Sequence, residues 1–341
     1  MTYLDANATE TLRPEARAAV LAALDGGGNP SSVHAAGRGA RRRLEEARES
    51  IAERFGGRPS DRRLIVGATE HDAVRSATRG AAVLAVDGAG VADLEALRRL
   101  LAEGGPALVC LMLANNETGT MQPMTEAGRL CRQAGALLHV DAVQAAGRVA
   151  VDFATLGADS MAISSHKLGG PQGAGALLVA PTLSAGLAPL IAGGGQERGR
   201  RGGTPPLPAI AGFAAAARAA GGAAALAVLR DAAEQGAVAA GAVVLGAGVP
   251  RLPNTTCLAL PGVRAETQVI ALDLAGVQVS AGAACSSGKV ARSHVLDAMG
   301  AGALAGEAIR VSLPWCAGQA DVAAFLLAYR IMAARLSRRA A

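Results

Sequence analysis

Aromatic residues are scarce, with one Trp, two Tyr and four Phe in 341 residues. The interior must therefore be packed through small and aliphatic side chains, and 44 glycines with abundant alanine agree with that. Cysteine is sparse as well. Cys110, Cys131, Cys257, Cys285 and Cys316 are widely spaced without a CxxC pair, which excludes a zinc ribbon and argues against a disulfide framework. No apolar run is long enough to span a bilayer, and the opening residues Met1 to Asn7 have neither a basic start nor an apolar core. The expected location is the cytoplasm, with no membrane partner. The net charge of +5 is modest, and the arginines are scattered. Runs such as Arg41 to Arg43 and Arg338-Arg339 read as solvated helix faces, so nucleic acid is not expected as a primary partner.

What is present is enough for a large core. Hydrophobic residues make up 51% and charged residues 18%, and the length suits two domains. Helical periodicity marks 14–24, 36–55, 91–102, 125–134, 206–220, 266–274 and 321–336. Between these lie short apolar runs at 64–66, 82–86, 107–113, 136–140, 161–163 and 176–179, the pattern of buried parallel strands. Alternation of this kind predicts an α/β, doubly wound, mainly parallel domain over 12–224, whose ligands gather at the carboxyl ends of the strands. After about residue 225 the pattern changes to 256–260, 277–281 and 309–313 among helices. Residues 225–341, with 1–11, read as a smaller α+β domain that carries Cys285.

Three chemically useful residues, Asn115, Asp141 and Lys167, each follow one of the apolar runs. Lys167 stands between His166 and a glycine run, where small neighbours leave its amine free to reach a carbonyl; a Schiff-base lysine needs that freedom. The ordinary alternative is a solvated loop lysine. Asp141 can hold a pyridine nitrogen protonated or simply cap the next helix. Gln144, one turn on, would share its crevice. His71 is a candidate for ring stacking or proton handling, against the commoner role of a cap. Cys285 lies among small residues with Lys289 nearby, which favours a reactive thiolate, whereas Cys110, Cys131 and Cys257 sit in apolar runs and read as inert. Arg310 ends an apolar strand pattern and calls for an anionic partner such as a carboxylate.

These segments, in this order, resemble the cysteine desulfurases, of the class V aminotransferase fold. The resemblance runs from 3–9 and 28–34 through 70–72, 115–119, 141–144 and 164–167 to 193–204, the Cys285 loop and Arg310. It implies a pyridoxal 5'-phosphate transferase type I fold, a homodimer, L-cysteine as substrate, and L-alanine with a Cys285 persulfide as products. The sulfur would pass to an acceptor such as an iron–sulfur scaffold or a thiolation partner. By the same resemblance Lys167 carries the cofactor, Asp141 pairs its ring nitrogen, Gln144 meets its phenolic oxygen and His71 stacks on the ring. Asn115 and Arg310 hold the substrate, while Ser164 and His166 bind the phosphate with Thr204 of the partner subunit. No structural metal site is implied, although Cys285 is suited to ligate a transient iron–sulfur cluster.

The chain departs from the family in one region. The family has a strand leading to a phosphate-cradling turn and helix, and then a second strand that ends in Glu-His. Here a single stretch, 64–74, stands for both, which reads as the deletion of one strand–turn–helix. Gly67-Ala68-Thr69-Glu70 imitates the missing turn, yet it cannot easily cradle a phosphate and place His71 over a ring together. The small domain also looks short over 224–250, and Pro314-Trp315 stands where the family commonly has glycine. Two alternatives follow: an impaired or non-catalytic family member, and a selenocysteine lyase-like enzyme.

Overall fold

A computed structural model describes residues 62–184, 187–189, 191–203, 207–221, 223–281 and 292–340. All of them belong to one compact unit, Ser60–Ala284 with Val290–Ala341. Cys285, Thr204 and the motifs at 3–9 and 28–34 lie outside the described residues.

The first part of the chain builds a six-stranded sheet. Its strands are β1 (Arg63–Gly67), β2 (Ala82–Leu84), β3 (Ala107–Met112), β4 (Leu137–Asp141), β5 (Ser160–Ser164) and β6 (Gly175–Val179), in the spatial order β2-β1-β3-β4-β5-β6. The first five pair in parallel. Each is joined to the next through helix or turn: α1 (Asp72–Ala77), α2 (Leu94–Ala102), α3 (Met124–Gln133) and α4 (Phe153–Leu156). Local sequence sets these starts. Asp93 caps α2 by accepting from the amides of Glu95 and Ala96 at 2.9 Å, and Asp152 caps α4 through Thr155, the usual work of an N-terminal aspartate. Ile65, Val109 and Leu138 are register partners and, with Val140, are fully buried, so this face of the sheet is packed as a core.

β6 corrects the sequence expectation that the run at 176–179 is a buried parallel strand. It pairs antiparallel with β5, and among the described residues it has no second neighbour. Gly175, Ala176 and Leu177 are exposed. An apolar run gives no direction of pairing; here the short connection after β5 permits only a hairpin.

After α5 (Pro181–Ser184), α6 (Leu207–Ala219) and α7 (Leu226–Val238) comes a four-stranded antiparallel sheet. Its strands are β7 (Val243–Leu245), β8 (Thr255–Ala259), β9 (Ser280–Ala281) and β10 (Ala308–Ser312), ordered β7-β8-β10-β9. With α7, α8 (Ala265–Leu274) and α10 (Gln319–Ala340) it encloses a second core around Leu258, Leu272, Ile309 and Tyr329, while α9 (His294–Ala298) packs in a smaller cluster with Cys257 and Ala308. β8 is buried along its whole length.

Leu258 is 0% exposed and pairs with Ile309 and Val244, whereas Leu177 on the β6 edge is 52% exposed. Leu258→Ala is therefore expected to cost about 2–5 kcal/mol of stability, and Leu177→Ala about 0.5 kcal/mol or less. Urea unfolding of the two variants measures the contrast.

Candidate active site

Strands β1, β3, β4 and β5 end on the same side of the sheet, and the site is built there. Register places Met112 beside Asp141 and Asp141 beside Ala162. Asp141 is the last residue of β4 and half-buried, and its Oδ1 accepts from the amide of Val143 at 2.9 Å. Gln144 follows one turn later, where its carbonyl and Oε1 accept from Nη1 of Arg148 at 2.7 and 3.1 Å.

Lys167 closes a 3₁₀ turn, Ser165–Lys167, directly after β5. The amides of Leu168 and Gly170 both donate to the carbonyl of Ser165. Gly170 lies so close to Ser165 that a Cβ there would collide with its Oγ, and Gly169 adopts φ +90°. The glycines after Lys167 are therefore required by the turn. Ser164 and His166 share a hydrogen bond, Oγ to Nδ1, at 2.9 Å. Lys167 is half-buried and has no hydrogen-bond or ion-pair partner among the described residues. It lines a cavity of about 390 Å³ with His166, Arg148, Asn254, Leu313 and Trp315.

The neighbouring turns are occupied differently. His71 caps α1, its Nδ1 accepting from the amide of Ala73 at 3.2 Å. Asn115 is buried and committed within its own turn. Its Nδ2 donates to the carbonyl of Thr69 at 3.1 Å, and its Oδ1 accepts from the amides of Glu117 and Thr118. Arg310, in the middle of β10, reaches this turn and donates from Nη1 to the carbonyl of Asn116 at 3.0 Å, while its Nε is buried without a partner. The strand ends thus bring Asp141, Gln144, Ser164, His166 and Lys167 to one edge. His71 and Asn115 stand on the adjoining turns, and neither lines the Lys167 cavity.

Sequence reasoning passed over four residues. Glu70 is 1% exposed; one carboxylate oxygen accepts from the amide of Met112 and the other has no partner. Burial, and secondarily the Asp141 charge, push it up to about 8 against the pull of that amide. Glu117 is also raised by burial, opposed by the hydrogen bond from Ser293 Oγ at 2.6 Å and by the Arg310 charge. Arg148 is held below the usual arginine range by burial and by the like charge of Arg310. Asn254, whose Nδ2 donates to the carbonyl of Leu313, completes one wall of the cavity. An arginine among small and apolar neighbours, the signal used for Arg310, would also have found Arg148. The three internal cysteines are buried, with Cys110 and Cys131 pushed up to about 12 by burial, which keeps them as inert thiols. Cys316 is exposed.

A family model described as Aminotransferase class-V matches residues 59–325. A cysteine desulfurase of Cereibacter sphaeroides is 41% identical over 336 residues, covering 87% of this chain and 86% of that protein. An IscS-like cysteine desulfurase of Mycobacterium tuberculosis is 36% identical over 373 residues, covering 96% and 94%. A solved NifS-like protein from Rickettsia africae superposes with a TM-score of 0.74 at 32% identity, covering 97% of this chain and 99% of the other.

The Glu70 carboxyl gives a pH signature. Its folded pKa lies above its ordinary 4.5, so between about 4.5 and 8 the folded state holds a proton that the unfolded state has lost. Stability contributed by this group therefore falls as pH rises through that window and levels above it. Glu70→Gln, which cannot titrate, is expected to show a shallower decline from pH 5 to pH 8 in thermal unfolding. Equal slopes for the two proteins would remove Glu70 as the source.

Proposed function

The chain belongs to the class-V aminotransferase family and is an enzyme of the cysteine desulfurase kind; from that premise we propose that it uses pyridoxal 5'-phosphate to convert L-cysteine to L-alanine. In the net reaction the carbon–sulfur bond of cysteine breaks, the sulfur joins Cys285 as a persulfide, and the thiol proton balance is closed on the departing alanine. The comparisons favour this reading over a non-catalytic relic or a selenocysteine lyase.

The observation that carries the cofactor assignment is Lys167, an unpartnered, half-buried amine in a cavity wall at the carboxyl edge of a parallel sheet. The donors along that edge suit the cofactor chemically. Lys167 offers a covalent anchor for an aldehyde, Asp141 a carboxylate for a ring nitrogen, and Ser164 with His166 a hydroxyl–imidazole pair for an anion. Once bound, the cofactor supplies the electron sink that weakens bonds around the substrate's Cα. The protein's own part is to orient. Asp141 is steadied by the Val143 amide, so its second oxygen stays available to the ring. Arg310 has an unpartnered Nε to offer a substrate carboxylate, and a guanidinium suits that group. By the family resemblance Gln144 would meet the phenolic oxygen and His71 would stack on the ring, while Asn115 would hold the substrate by giving up a bond to its present partners. We take the working enzyme to be a homodimer in which Thr204 of the partner subunit joins the phosphate contacts. An acceptor such as an iron–sulfur scaffold would take the Cys285 sulfur.

The purified protein is expected to show a visible absorption band that borohydride abolishes, with Lys167 gaining the cofactor's mass. A protein that stays colourless with added pyridoxal phosphate overturns the proposal. Cys285→Ala is expected to keep the band and lose sulfide release from cysteine by at least about 100-fold, the scale of removing an activated nucleophile. Unchanged release would remove Cys285 from the sulfur step.

A further inference from the structure

The turn that sequence would offer to a phosphate is closed. Thr69 is 1% exposed, its hydroxyl buried without a hydrogen-bond partner, and α1 behind it is only six residues long and capped by His71. Any anionic group bound beside Lys167 must find its charge partner elsewhere.

Arg148 meets that need. It lies in the wall shared by the 390 Å³ cavity that contains Lys167 and His166 and a larger apolar groove of about 910 Å³. Three arginines line these two spaces. Arg230 is paired with Asp231 and Arg251 with Glu234. Arg148 has no carboxylate partner among the described residues; its recorded bonds run from Nη1 to the carbonyl and Oε1 of Gln144. Those bonds aim the head group without neutralising it. Burial, and after it the like charge of Arg310, oppose its charged form. A half-buried cation without a counter-charge is costly unless an anion comes beside it.

We propose that Arg148 is the phosphate-binding arginine of the Lys167 cavity, acting with Ser164 and His166 to hold the phosphate of the cofactor. This inference rests on the cofactor reading above. A phosphate fits better than a substrate carboxylate for two reasons. It carries close to two negative charges where a carboxylate carries one, and its oxygens accept the bidentate fork of an arginine. The second reason is position. Arg148 shares its cavity with His166, whose Nδ1 is bonded to Ser164 Oγ, whereas Arg310 is absent from that wall and donates to the Asn116 turn.

The test compares binding of pyridoxal 5'-phosphate and of pyridoxal, which lacks the phosphate, to the cofactor-free full-length protein. Arg148→Gln is expected to weaken pyridoxal phosphate by about 10- to 100-fold, the scale of a lost charged hydrogen bond, and to leave pyridoxal within about twofold. Arg148→Lys should fall between, because it keeps the charge and loses the fork. Inorganic phosphate should raise the thermal midpoint of the wild type and not that of Arg148→Gln. Equal weakening of both ligands would mean that Arg148 only supports packing, and no weakening of either would remove it from the site. Unchanged pyridoxal phosphate affinity with a raised KM for cysteine would assign it to the carboxylate instead. Each of these three outcomes overturns the proposal. If the glutamine variant does not fold, the lysine variant decides by the same contrast between ligands. A wild type that binds neither ligand would overturn the cofactor reading and this inference with it. A wild type that binds both ligands, and a variant that binds them equally well, would overturn this inference alone.

Discussion

The parallel register of β3, β4 and β5 is the constraint on which the rest of the site depends. Along β4 the side chains of Leu138 and Val140 are buried while Leu137, His139 and Asp141 are half-buried. A slip of one residue against β3 would exchange these sets, turning Asp141 into the core and Val140 out of it. Two fully buried aliphatic side chains therefore hold the carboxylate at the open edge. The same logic runs through β5, where buried Met161 alternates with half-buried Ala162 ahead of the Lys167 turn. Hydrophobic burial, which is non-directional, is converted into position by the period of the strand.

Lys167 is fixed twice. The end of β5 sets where its turn begins, and the antiparallel pairing of Ser164 with Gly175 sets where the turn must return. Between these points the chain has room only for a tight turn, and small residues supply it: Gly170 against Ser165, and Gly169 in the left-handed region. Such a hairpin leaves little freedom for the lysine's backbone, and the conformational cost of placing its amine is met during folding rather than on binding. β6 also ends the sheet among the described residues. Leu177 stands exposed on that edge strand.

Much of this could be read from the sequence, for identifiable reasons. Strands β1 to β5 are short aliphatic runs bounded by turn residues, and the polar residues just beyond them, Asp141 and Lys167, are legible because a parallel sheet collects strand ends on one side. The direction of β6 was not legible, since periodicity carries no sign. Helix α7 was hidden by its alanine-rich composition; it packs through small buried residues, Ala233 and Ala237, that lack the contrast of an amphipathic pattern. Asn115 was visible as a polar residue, but its commitment to Thr69, Glu117 and Thr118 was not, because that depends on which carbonyls and amides the fold brings near. Glu70 and Glu117 owe their character to burial by residues distant in sequence, so no local pattern announces them.

The division of charge along the strand ends explains why this edge suits an anion although three acidic residues belong to it. Glu70 and Glu117 sit on the β1 and β3 turns, where burial raises both. At neutral pH a carboxyl raised to about 8 is mostly protonated, so Glu70 adds little negative charge beside Asp141. Glu117 spends its charge on Ser293 and Arg310. On the β5 side Lys167 and Arg148 have no such compensation among the described residues. Desolvation thus silences acid on one side and leaves cation on the other, because burial penalises each charged form but an arginine cannot give up its proton. The edge is left electropositive in a place of reduced dielectric, where an added anion gains more than it would in water. Asp141 remains as the single unmatched carboxylate, standing where a protonated ring nitrogen would need one.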